Sequence, residues 1–258
     1  MKLSPTSSKI VLIVLMIASI IFWSIVILGI QDETSTVELT YTDHMRHETT
    51  AWLFLSVGLA VFYVPLGELV KQIKVPFPHV PWPDLPHGYP PGSLLIFLPF
   101  SLLSNLGILP DRLVHELMIF LFMLVAHIII YDLCTWIFPR LPKFVSPLVV
   151  FLFYILLIHW SLNGFFDVIP VLLLCRAAKA YARRNHRKAL VLSSAAFFMH
   201  YRALMYAPLI IWSLFLVLRD IYSRKKTKSK SSVVALGVSI PLLALSLITA
   251  YLSFVVFP

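Results

Sequence analysis

The residues best suited to chemistry stand at a few places in a very apolar chain. Asp43-His44-Met45-Arg46-His47-Glu48 gathers two carboxylates, two imidazoles and a guanidinium within one short stretch. Asp43 reads as a lone outward-facing carboxylate, either a solvated residue or a general base that takes a hydroxyl proton. His44 and His47, at i and i+3, share one helical face, so they are metal-ligand candidates and leave a divalent cation open as a cofactor. One His-x-x-His is as readily a solvated or packed helix face. Asn163-Gly-Phe-Phe-Asp167 interrupts two apolar runs with a helix-breaking Asn-Gly and a carboxylate. It is either a tight turn whose Asp caps the next helix or part of a site. His200-Tyr201-Arg202 is either an interfacial girdle with snorkelling side chains or an anion clamp, because the planar Arg202 fork suits phosphate and His200 and Tyr201 add donors.

These residues must be held by membrane helices. The chain has 258 residues, 59% hydrophobic and 13% charged, with a mean hydropathy of +0.89. A soluble domain carries about twice that charged fraction, which excludes water-soluble, disordered and disulfide-scaffold classes. The expected fold class is all-α, a polytopic membrane bundle of seven to nine transmembrane or re-entrant helices forming one membrane domain over 1–258. Apolar runs fall at residues 10–30, 49–66, 92–109, 113–137, 146–160, 165–174, 189–199, 203–218 and 233–258. The first is too long for a signal-peptide core and reads as an uncleaved anchor. If every run crosses, 18 of the 21 Lys and Arg fall on one side, leaving Arg46, Arg112 and Arg202 on the other. The positive-inside rule then places the N-terminus in the cytoplasm of a multi-pass protein of the plasma membrane or endoplasmic reticulum. The basic loops at 175–188 and 219–231 are cytoplasmic. They suit anionic lipid or an acidic partner, and the excess of positive charge reports topology, with no nucleic-acid partner implied. Runs 49–66 and 92–109 can equally lie along the outer interface, giving one external loop over about 31–91. Its Pro-rich middle is irregular, and Pro90-Pro91 should open a helix, since Pro is tolerated where the N–H has no partner.

Four motifs follow in a familiar order: Tyr41-Thr42-Asp43 after the first helix, His87-Gly88-Tyr89-Pro90-Pro91-Gly92 opening an apolar helix, Asn163-Gly-Phe-Phe-Asp167, and then His200-Tyr201-Arg202. In this the chain resembles the GT-C superfamily of integral-membrane glycosyltransferases, in particular the polyprenyl-phosphate-mannose-dependent, GPI-mannosyltransferase-like type. Members are longer, so the resemblance implies a form lacking the C-terminal half. It also implies transfer of a sugar, mannose by this likeness, from a polyprenyl-phosphate donor at the outer or lumenal face. Asp43 would be the catalytic acidic residue, which acts as general base or orients the acceptor. Arg202 with His200 would neutralise the leaving phosphate, and Tyr201, Asp167, Asn163 and Tyr89 would line the substrate site. The alternative is a non-catalytic integral-membrane subunit of a larger complex, whose partner would be another membrane subunit.

Overall fold

A computed structural model describes residues 5–34, 42–73, 80, 82–137, 168–223 and 226–256. No strand occurs among the described residues. The helices are α1 (Pro5–Thr34), α2 (Thr42–Val57), α3 (Leu66–Gln72), α4 (Pro91–Asn105), α5 (Asp111–Ile137), α6 (Val168–Ala182), α7 (His186–Met199), α8 (Ala207–Tyr222) and α9 (Lys226–Tyr251). Tight 3-10 segments at Gly58–Phe62 and Tyr201–Tyr206 leave α2 and enter α8. The chain divides into two compact units, Met1–His44 with Gly107–Ile169 and Met45–Leu106 with Pro170–Pro258.

In the first unit α1 packs against α5. The buried His127 is satisfied within the unit, as an apolar surrounding demands. The His127 ring on α5 lies 2.8 Å from the Met123 carbonyl and 2.9 Å from Ser19 Oγ on α1. A carbonyl can only accept, so Nδ1 carries the proton and Nε2 accepts from the Ser19 hydroxyl. The Glu116–Ile137 stretch is long and apolar enough to cross a bilayer.

The second unit is built around α7, which packs against α4, α8 and α9. Its α9 partner and the π turn that follows it, Leu252–Val256, carry Ser232, Ser239, Ser246 and Ser253 at heptad spacing, all buried. Small residues let helices approach closely where lipid supplies no hydrophobic drive. Ala189, Ser193 and Ala196 of α7 are likewise buried. The opposite faces are apolar and exposed: Ile211, Phe215 and Tyr222 on α8, and Val234, Leu247 and Tyr251 on α9. Such surface needs hydrocarbon around it. Ala203–Tyr222 and Lys230–Phe254 are each long and apolar enough to cross.

The chain is therefore a helical membrane protein with three candidate spans among its described residues, where the apolar runs suggested seven to nine. Some runs form shorter helices. α6 and α7 have 15 and 14 residues, about 22 Å of helix against a ~30 Å hydrocarbon core. Run 146–160 lies outside the described residues. Run 49–66 forms no continuous helix long enough to be a candidate span. It breaks at Gly58, whose φ of 58° ends α2. The Leu66 and Gly67 amides at the far end then bond Leu85 and Pro83 carbonyls at 3.2 and 2.8 Å, in the same turn that Arg46 grips from the near end. Both ends of the run thus meet one loop.

Pro91 begins α4 as the sequence pattern predicts, with Pro90 extended before it. A Cβ on Gly92 would stand 2.5 Å from the Phe198 carbonyl oxygen and 2.9 Å from its carbon. That backbone contact seats α4 on α7. Gly92→Ala is expected to cost about 1–3 kcal/mol, since the overlap is with main chain that cannot rotate away. Thermal unfolding in lipid nanodiscs checks this, with Gly88→Ala, where a Cβ meets nothing within 4 Å, as the silent control.

Candidate functional site

The turn between α3 and α4 is held by one buried side chain. Arg46, on α2, is 5% exposed. Its Nη1 donates to the Trp82 carbonyl at 2.8 Å, and Nη2 donates to the Leu85 and Pro86 carbonyls at 2.9 and 2.7 Å. Pro83, Pro86 and Pro90 have no N–H, so this stretch cannot form a regular ladder and its carbonyls need an outside donor. A planar guanidinium reaches three of them at once. The His87 amide donates to the Val61 carbonyl at 2.7 Å, and Ser253 Oγ, in the π turn after α9, donates to the His87 carbonyl at 2.9 Å.

This scaffold presents a cluster of rings. His47 stacks on Phe97 with centroids 4.6 Å apart and meets Tyr89 at 4.7 Å and His87 at 5.4 Å. His87 also abuts Phe62 at 5.6 Å and Tyr89 at 5.7 Å. Tyr89 bridges to His200 at 5.3 Å. His47, His87 and His200 are buried, while Tyr89 is half-buried.

The protonation state of His87 follows from its neighbours. Ser93 Oγ donates its only proton to the Pro90 carbonyl at 2.7 Å. It must therefore accept from His87 Nε2, 2.9 Å away, which fixes the Nε2–H tautomer. Burial, and secondarily the positive charge of Arg46, lower the His87 pKa from 6.5 to about 3. The unfolded chain then binds this proton more readily than the folded one. Stability is expected to be level above pH 6.5, to decline as pH falls below it and to level again near 3. Chemical denaturation at several pH values checks this, and His87→Gln should flatten that portion of the profile.

Of the residues singled out by sequence, Tyr89, His200 and His47 come together. Tyr201 lies beside them, its hydroxyl 3.3 Å from Thr249 Oγ1 and its ring 5.8 Å from Phe254. Thr249 donates its own proton to the Leu245 carbonyl, so Tyr201 donates to Thr249, within the bundle and not to an anion. Asp43 falls in the first turn of α2 and Arg202 in the 3-10 segment before α8. The side chains of Asp43, His44 and Arg202 lie outside the described residues, as do Asn163 and Asp167. No group of three or more His, Cys, Asp or Glu poised for a metal occurs among the described residues; His47 is packed among rings. Sequence reasoning treated Arg46 only as an outer charge and His87 only as a motif letter, and it passed over Ser93, Thr249 and Ser253. Small hydroxyl residues inside the last apolar run were the available signal for the last two.

Fold and site together define a helical membrane protein whose Pro-led loop, one helix end and one interhelical turn converge on a buried histidine–aromatic cluster. Compared with known protein families, characterised proteins and solved structures, the chain matches none.

Proposed function

We propose that the chain is a GT-C-like membrane glycosyltransferase that moves a sugar, mannose by the family likeness, from a polyprenyl-phosphate donor at the outer or lumenal face. The observation that carries this reading is the 5.3 Å approach of the Tyr89 and His200 rings. They belong to the Tyr-Pro-Pro and His-Tyr-Arg turns, far apart in the chain, and the likeness requires those turns to share a site. On this reading Asp43 takes the proton of the acceptor hydroxyl as its oxygen attacks the sugar C1. The C1–O bond to phosphate breaks, and the departing lipid phosphate keeps the electron pair beside Arg202. A donor with a polyprenyl tail suits a site carried on apolar helices.

The test is transfer of radiolabelled mannose from mannosyl polyprenyl phosphate to lipid or peptide acceptors, in membranes with and without the chain. Label moving only when the chain is present supports the reading. No transfer, together with loss of a co-purifying membrane protein when the chain is deleted, would identify a non-catalytic subunit instead.

A further inference from the structure

The tautomer fixed by Ser93 leaves His87 Nδ1 with a lone pair and no hydrogen-bond partner among the described residues, although the residue is 0% exposed. A buried acceptor without a donor is costly and rare. The next residue, Gly88, is half-buried, and a side chain built on it would meet nothing within 4 Å. Beyond it the half-buried Tyr89 touches both His87 and His200. We propose that His87 Nδ1 and the open space over Gly88 form a subsite for a sugar hydroxyl, with His87 accepting the O–H hydrogen bond.

The chemistry selects that class of ligand. Nδ1 can only accept, so it calls for a donor, and a carboxylate or phosphate oxygen has none to give. An ammonium would bring a second positive charge towards Arg46. A neutral hydroxyl fits both conditions, and the half-buried Tyr89 ring offers an aromatic face of the kind that sugar C–H groups pack on. The role is binding and positioning, with no proton transfer, because the depressed pKa makes His87 a poor base. The identity of the hydroxyl compound as a sugar rests on the glycosyltransferase reading; the acceptor role of Nδ1 does not.

The full chain in nanodiscs, labelled with 15N-histidine, tests the subsite with octyl α-mannoside as probe and octanol as a hydroxyl without a sugar. Mannoside is expected to move the His87 Nδ1 resonance upfield, in the direction of an accepted hydrogen bond, and octanol is not. His87→Gln keeps a donor for Ser93 and deletes the Nδ1 acceptor, so mannoside binding should weaken roughly tenfold. His87→Asn, which can offer an oxygen near the Nδ1 position, should recover part of it. Gly88→Leu fills the open space without opposing any neighbour, so it should block binding with unfolding temperature unchanged. An Nδ1 resonance already hydrogen-bonded in the free protein and unmoved by mannoside, or undiminished binding in both His87→Gln and Gly88→Leu, overturns the proposal. A response to octanol equal to that of mannoside overturns the sugar and leaves a general hydroxyl site. Mannoside binding without any mannosyl transfer keeps the subsite and removes the transferase reading.

Discussion

Arg46→Ala is expected to lower stability by about 3–5 kcal/mol, the largest loss of any single change in the Met45–Leu106 segment. Three carbonyls lose a charged donor at once; those of Trp82 and Leu85 keep the Leu85 and Leu66 amides, while the buried Pro86 carbonyl is left with no other donor among the described residues. Hydrogen bonds to a charged group contribute about 1.5–3 kcal/mol each, and a buried acceptor left alone costs its desolvation. These terms share one side chain and do not add fully, which keeps the sum near the cost of removing one partner from a buried charged interaction. Arg46→Lys should recover only part, because an ammonium on a flexible stem cannot reach three carbonyls with a planar fork. Thermal unfolding in nanodiscs gives the total. Hydrogen exchange gives the location: the Leu85 and His87 amides, bonded to the Trp82 and Val61 carbonyls, should lose protection first. A change below about 1 kcal/mol, or protection lost evenly over the unit, would mean that the turn holds itself.

Arg46 also marks the boundary of what the sequence made legible. Composition and apolar runs sufficed for the helical membrane class, because burial in lipid imposes a period-free apolar signal that counting detects. Pro90-Pro91 sufficed for the start of α4 because proline constrains its own backbone whatever surrounds it. Run length was a poorer guide to crossing. Residues 49–66 are apolar enough to span, yet the helix breaks at Gly58, and the far end of the run is fixed by Leu66 and Gly67 amides on the Leu85 and Pro83 carbonyls, which run length does not state. The ring cluster was half legible. Tyr89 and His200 are reachable through their motifs, but the packing of His47 on Phe97 joins residues 50 positions apart, which the local His-x-x-His spacing does not state. The serine register of α9 was visible as heptad spacing in the chain. Its meaning depends on α7 presenting small residues opposite, which no local pattern states.

Asp43→Asn is the second large effect, and it falls on activity instead of stability. If Asp43 is the base, the exchange removes the proton acceptor while leaving a side chain of the same shape. General-base catalysis contributes about 10²–10⁴-fold, so mannosyl transfer should fall by roughly 10³-fold. The change should leave folding intact, since asparagine is tolerated near a helix N-terminus much as aspartate is, and Asp43 stands in the first turn of α2. Glu48, on the same helix and 5% exposed, is the informative comparison. A collapse of transfer in Glu48→Gln with Asp43→Asn active would move the base one turn inward, to a carboxylate next in sequence to the ring-packed His47. Arg202→Ala should act on the other bond, weakening use of the lipid-phosphate donor by roughly 10²–10³-fold as a lost oxyanion-type contact does. Arg202→Lys should restore part of the charge but not the bidentate geometry. The acid–base defect should persist with every acceptor, whereas the Arg202 defect should ease as the donor's leaving phosphate becomes a better leaving group. Full activity in both Asp43→Asn and Arg202→Ala, in protein that still unfolds at the unmodified temperature, would leave the ring cluster as a structural device and the chain as a partner of some other membrane protein.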